Sequence, residues 1–256
     1  MSELKGIYAM WYREFKVFLR EKSRIVASIF TPILWLLIIG AGLGSAVSFG
    51  GINYQTFIYP GVLVQSALFS SIFFGIYIVW DKKVDFLKEV LVAPMSRTSI
   101  FFGKVLGGST DSIIQTLILL LIGFMLMQIG LLQGINFSIF SVTVSVLLML
   151  VTIIGLVSLG LAVGSQMESF EGFQLVSSFV VFPMFFLSGA LFPISNLPSW
   201  LAPFVFINPV TYSVDGLRGV LLGISQFSIA FDLAVISAFS IAMIIIGTQA
   251  FRRMSL

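Results

Sequence analysis

IVASIFTPILWLLIIGAGLGSAVSFGGINYQTFIYPGVLVQSALFSSIFFGIYIVW, residues 25–80, runs from Ile25 to Trp80 without one Asp, Glu, Lys or Arg. A membrane-spanning helix needs about 20 predominantly apolar residues, so this stretch has room for two. Gly50, Gly51, Asn53 and Gln55 interrupt it near the middle, where a surface turn would fall. Two further charge deserts follow, Ser112 to Met167 and Gly172 to Val214, and Gln128, Gln133, Gly134 and Asn136 break the first of these. Over the whole chain of 256 residues, 58% are hydrophobic and 10% charged, with a mean hydropathy of +1.09. A soluble domain carries roughly 25% charged residues, so a water-soluble globular protein is excluded. The runs are too long for transmembrane strands and lack their two-residue alternation. The sequence therefore predicts an all-α, polytopic membrane protein, a single domain over residues 1–256. Its six transmembrane helices fall at about 25–47, 57–79, 105–127, 138–162, 172–192 and 228–250.

Orientation follows from the basic residues, which accumulate on the cytoplasmic side. Of the 14 Lys and Arg, Lys5, Arg13, Lys16, Arg20, Lys22 and Arg24 precede the first span. Lys82, Lys83, Lys88, Arg97 and Lys104 sit between spans two and three, and Arg252 and Arg253 follow the last. Only Arg218 falls on the other side. Both termini are thus expected in the cytoplasm, which requires an even number of spans. No cleavable signal peptide is expected, because the first apolar run begins after a charged segment and is too long for an h-region.

Outside the spans, three segments stand out. In residues 1–24, Leu4, Tyr8, Trp11, Phe15 and Phe18 recur every three or four positions, with Arg13, Glu14, Lys16, Arg20 and Glu21 on other faces. That pattern suits a helix over 3–24 lying in the membrane interface, against the alternative of a frayed, solvated tail. The cytoplasmic loop 80–104 sets Asp81, Asp85 and Glu89, four apart, against Lys82, Lys83 and Lys88, with an apolar side of Phe86, Leu87, Val90 and Leu91 until Pro94 stops the helix. A short helix of this kind is either a docking element for a cytosolic partner or a connector resting on lipid headgroups. The third segment, 193–212, holds four of the eight prolines yet is strongly apolar. Short helical pieces dipping into the outer leaflet fit it better than a span.

Catalytic chemistry is hard to find. With no Cys and no His, the commonest metal ligands and the usual base of a serine hydrolase are missing, and no metal set or catalytic residue is identified. Gly103-Lys104 is followed by Val105, so the phosphate-binding loop of an ATPase is not present. The formal charge of +3 comes from residues flanking spans rather than a patch, so no nucleic-acid partner is expected. Asp111 is read as the one acid inside a span, with Gln115 one turn on. It is either a proton or substrate site, or an interhelical anchor. Asp215 and Arg218, three apart, are expected to pair locally, and Asp232 to serve as an acid at the start of the last helix. Gly40 and Gly44, Gly103 and Gly107, Gly160 and Gly164, and Gly219 and Gly223 have the small-residue spacing of close helix contacts.

The loop also resembles the signature of type-2 ABC transporter permeases, the exporter class that includes daunorubicin-resistance and nodulation-factor export permeases. Leu91-Val92-Ala93-Pro94, Ser96-Arg97 and Gly103-Lys104 match it, and so do FPMFFLSGALFPISNLPSWL (182–201) and INPVTYSVDGLRGVLLG (207–223). One departure is Asp85, where related sequences usually have Gly. The resemblance implies a membrane subunit that binds no cofactor itself, with ATP and Mg on two copies of a separate cytosolic ABC ATPase, and that pairs with a second permease copy or homologue. It implies a coupling helix over 84–95 seated in the ATPase, involving Phe86, Leu87, Lys88, Glu89, Leu91, Pro94 and Arg97. It further implies an external re-entrant hairpin, 193–212, marked by Ser188, Gly189, Pro193, Pro198, Trp200, Asn208 and Pro209, and a pathway lined by spans one, two and five. The implied setting is the plasma membrane of a prokaryote, the cargo hydrophobic or amphipathic: a drug, a lipid or a glycolipid-like molecule. An ion-gradient-driven transporter or channel is the alternative, and several intramembrane acids would favour it.

Overall fold

The computed structural model describes residues 3–44, 47–49, 51–86 and 95–254. Helix α1 covers Glu3–Arg20. After a break at Glu21, α2 (Lys22–Leu34) continues through a π-helical turn at Trp35–Gly40 into α3 (Ala41–Gly44). The predicted interfacial helix over 3–24 is corrected here: Lys22 and Arg24 belong to the first membrane-length helix. A two-stranded hairpin, β1 (Ser48–Phe49) and β2 (Ile52–Asn53), turns at Gly51 and leads into α4 (Tyr54–Phe73) and α5 (Ile76–Lys83). Then come α6 (Arg97–Gln128), α7 (Ile139–Gln166), α8 (Phe170–Phe186), α9 (Ala202–Ile207), α10 (Pro209–Leu222) and α11 (Ile229–Arg253).

The protein is a polytopic all-α membrane protein. Among the described residues, five helices are long and apolar enough to cross a membrane: 22–44, 54–83, 97–128, 139–166 and 229–253. The segment expected as a span at 172–192 is shorter. α8 has 17 residues, about 25 Å at 1.5 Å per residue, against a hydrocarbon core of about 30 Å. It stops because the chain turns at Ser188, whose hydroxyl oxygen accepts from the Ala190 N–H, and at Gly189, whose φ is +75°.

Side-chain caps start the helices where polar residues punctuate the apolar runs. Ser96, Ser138, Ser169 and Ser228 each accept a backbone N–H three residues on, satisfying one of the donors that a helix N-terminus leaves unpaired. α4 is buried along most of its length and forms the centre of the bundle, whereas the 22–44 helix and α11 are peripheral. The second predicted span is not one straight helix. It breaks between α4 and α5 at Phe74–Gly75, where a Cβ on Gly75 would sit 2.0 Å from the Gly160 carbonyl oxygen, and one on Gly164 would sit 2.3 Å from the Gly75 carbonyl oxygen. The Gly160/Gly164 spacing thus serves backbone-to-backbone packing within this one chain.

Candidate functional site

Of the residues expected in the coupling helix, Leu87, Lys88, Glu89, Leu91 and Pro94 lie outside the described residues. The expected stripe of Asp81, Asp85 and Glu89 on one helix is corrected, because α5 ends at Lys83 and Asp85 takes a left-handed conformation, φ 55°. Few non-glycine residues adopt this region, Asn and Asp among the more frequent, and the position is the one where glycine was expected. Phe86 lies under the guanidinium of Arg13, 3.9 Å from ring centre to Cζ. Arg97 reaches across to the last helix, donating to the carbonyls of Arg252 (3.0 Å) and Met254 (2.8 Å), and so satisfies acceptors at the C-terminal end of α11.

Both flanks of that segment are tied to α1 by charge. Lys104 of α6 is wholly buried and its ammonium meets Glu14 of α1 at 2.8 Å and Asp81 of α5 at 2.5 Å. Arg13 closes the group, 2.7 Å from Glu14 and 2.8 Å from Asp81. Two cations and two carboxylates cancel, so the cluster buries no net charge. Glycines make room for it: a Cβ on Gly103 would lie 2.4 Å from Met10 Cβ, and one on Gly107 2.5 Å from Glu14 Cβ. The indole of Trp11 donates to the Thr110 hydroxyl at 3.0 Å. At the start of α1, Glu3 accepts from the Ser96 and Ser99 hydroxyls and the Ser96 N–H. These donors hold its carboxyl below the usual carboxylate range, the Ser99 hydroxyl most strongly. The cluster joins Glu14 to Lys104, 90 positions apart; the local signal for it is that Glu14 lies on the buried stripe of α1 with Gly6, Met10 and Phe18 rather than with the exposed charges.

A second charged group explains Asp111. Its carboxylate lies 2.7 Å from Arg24, at the start of the first membrane-length helix, and accepts from Gln115 at 2.5 Å. Arg24 also donates to the Tyr77 hydroxyl at 2.6 Å, and Tyr77 donates in turn to Glu21. Asp111 therefore joins the first span to α6. The expectation that it is the one acid within a span is corrected, because Asp81 and Asp232 also lie in membrane-length helices. Asp232, expected only to complement a helix start, is fully buried, and neither of its oxygens has a hydrogen-bond partner among the described residues.

Arg24 also stands at one end of a cavity of ≈ 530 Å³ between the first, second and fifth apolar helices, 22–44, α4–α5 and α8. Its walls are largely aromatic, with Trp35, Phe69, Phe73, Phe182 and Phe185, and its polar groups include Ser28, Thr31 and Gln65. Gln65 is buried and its side-chain carbonyl has no donor among the described residues.

At the opposite end of the bundle, residues 193–212 form two short 3-10 turns, α9 and the first turn of α10. Trp200 and Pro198 are exposed, while Ser188 is buried. Asn208 joins this segment to α8, donating to the Met184 carbonyl at 2.7 Å while accepting from the Val210 N–H to cap α10, which begins at Pro209. The expected Asp215–Arg218 pair does not form. Asp215 accepts from the N–H groups of Gln226 and Phe227, whereas Arg218 donates to the Gly189 carbonyl at 2.9 Å.

Comparison with known proteins places this architecture. A family profile described as ABC-2 type transporter matches residues 5–222. The chain is 30% identical over 243 residues to the ycf38 protein of Cyanophora paradoxa, covering 93% of this chain and 81% of that one. It is 27% identical over 256 residues to the inner membrane transport permease YadH of Escherichia coli (97% and 95% covered). It is 23% identical over 249 residues to nodulation protein J of Rhizobium leguminosarum bv. viciae (96% and 93% covered).

Proposed function

Because the chain belongs to the ABC-2 type transporter family, it is the membrane permease subunit of an ABC transporter whose ATPase resides in separate subunits, and we propose that it exports a hydrophobic or amphipathic molecule. The cargo class in this reading is a drug, lipid or glycolipid-like molecule, moved across the plasma membrane of a prokaryote. Two copies of the ATPase, carrying ATP and Mg, act on this permease and a second copy or homologue of it, with both termini of this chain in the cytoplasm. The observation that carries this reading is the aromatic cavity between the first span, α4–α5 and α8. Its size suits a drug-sized ligand, for which pockets run about 300–1,000 Å³, and its few polar groups could orient one.

Coupling is assigned to residues 84–95, seated on the ATPase. Support for this comes from the flanks. Arg13, Glu14, Asp81 and Lys104 bind α1, α5 and α6 into one block beside the segment, so a displacement there is carried to the second and third spans together. Arg24 and Asp111 extend the same block to the first span, which borders the cavity. Rigid elements with two arrangements transmit force in this way.

The test is co-purification of the tagged chain from its native membranes in mild detergent. An ATPase with a phosphate-binding loop is expected to accompany the wild type. A variant carrying Lys88→Glu, Glu89→Lys and Leu91→Asp should insert normally and lose that subunit; undiminished retention overturns the coupling assignment. Ala27→Trp, which places an indole at the exposed edge of the cavity, should keep the ATPase yet block transport. Normal transport by that variant removes the cavity from the pathway.

A further inference from the structure

Far from the charged clusters around α1, a second cavity of ≈ 330 Å³ opens between the β1–β2 hairpin, the turn at Pro193–Asn196 and α10. Arg218 lines it and is only 5% exposed. Its guanidinium lies over the Phe57 ring, 4.0 Å from the centroid, and Nη2 donates to the Gly189 carbonyl at 2.9 Å. Nε is buried without an acceptor among the described residues. Asp215 also lines the cavity, but its oxygens are taken up by the N–H groups of Gln226 (3.0 and 2.9 Å) and Phe227 (2.9 Å). No carboxylate among the described residues forms an ion pair with Arg218. Asp215 offsets the charge of Arg218 from a distance but leaves Nε open, and a buried planar guanidinium with an open N–H and no direct carboxylate partner is suited to an oxyanion.

We propose that this cavity binds one oxyanion, a phosphate or a carboxylate, as the direct partner of the open Arg218 Nε–H. Ser195, Asn196 and Ser225 supply hydroxyl and amide donors at its rim, while Phe49, Ile194 and Ile224 offer an apolar wall to a hydrocarbon chain attached to the anion. The site is separate from the aromatic cavity and does not depend on the coupling assignment.

The test uses the full chain, purified with its ATPase in a neutral maltoside detergent, and calorimetric titration with three probes: dioctanoyl phosphatidic acid, dioctanoylglycerol and inorganic phosphate. Dioctanoyl phosphatidic acid is expected to bind, and dioctanoylglycerol not. Binding should weaken by about tenfold or more in Arg218→Gln, which removes a charge-assisted contact. Ser195→Asp, at an exposed position on the rim, should weaken it similarly by repulsion and decides the matter alone if Arg218→Gln does not fold. Inorganic phosphate binding as tightly as the phosphatidic acid identifies a free anion as the ligand; much weaker phosphate binding identifies an amphiphile's head group. The proposal is overturned if neither phosphorylated probe binds the wild type, or if the folded variants bind them unchanged.

Discussion

Lys104 Nζ and Asp81 Oδ2 meet at 2.5 Å with the lysine side chain wholly buried and the aspartate 1% exposed, so α6 and α5 are joined by opposite charges that water does not reach. Removing one member of a buried ion pair costs about 3–5 kcal/mol, mostly because the partner is left uncompensated. Lys104→Met should therefore lower the thermal midpoint of the detergent-solubilised protein sharply. Adding Asp81→Asn should recover much of the loss, because the stranded charge goes with it while Arg13 keeps Glu14 as its partner. A Lys104→Met protein that melts with the wild type would remove the cluster's structural role.

Asp111→Asn keeps the shape and the Gln115 contact but weakens the bond to Arg24. As an anchor, the site should lose about 1–3 kcal/mol of stability, reduced by the partial exposure of Arg24. Transport per folded molecule, and its pH profile, should be retained. Lost transport in a protein of undiminished stability would restore the proton-site reading and the gradient-driven alternative.

Asp85 occupies left-handed backbone space, which costs a residue with a Cβ about 1–2 kcal/mol and a β-branched residue more. Asp85→Gly should fold at least as well as the wild type, while Asp85→Val should be less stable than Asp85→Gly by about 2 kcal/mol or more. Limited proteolysis of the two variants side by side reads the difference, and equal protection counts against the backbone assignment.

Glu3 gives a pH dependence with a definite sign. The Ser99 and Ser96 donors depress its carboxyl below the ordinary value of 4.5, so the tether is fully formed above that pH and is lost as pH falls through the lower, folded value. Protease access to α1 should rise with acidification in the wild type. In Glu3→Gln, which leaves the α1 contacts of Arg13 and Glu14 in place, access should be higher at neutral pH and flatter with pH.

The spans were legible because a bilayer imposes a length, and the charge-free runs around Leu63, Leu120 and Leu148 satisfy it. Their ends were less so. Nothing local to Phe170–Phe186 announces that Ser188 and Gly189 turn the chain early. Pairings across the fold were hidden for a related reason. Asp215 and Arg218 have the spacing of a helical ion pair, yet Asp215 is claimed by amides that follow the reversal at Gly223, and Arg218 by a carbonyl 29 positions upstream. Glu14, Asp81 and Lys104 each look like a residue of the membrane surface until three helices converge. The Gly103 and Gly107 spacing was the nearest clue, since it marked where α1 comes to rest.

The glycine seam between Gly75, Gly160 and Gly164 sets a boundary on how the bundle can move. Backbones in direct contact leave no side chains that could re-pack to let α4–α5 and α7 part by degrees. The two are held as one piece, like the frame of a door. The gap left to widen or narrow is the unfilled, aromatic one where the peripheral 22–44 helix meets α4 and α8, its lower end pinned by Arg24.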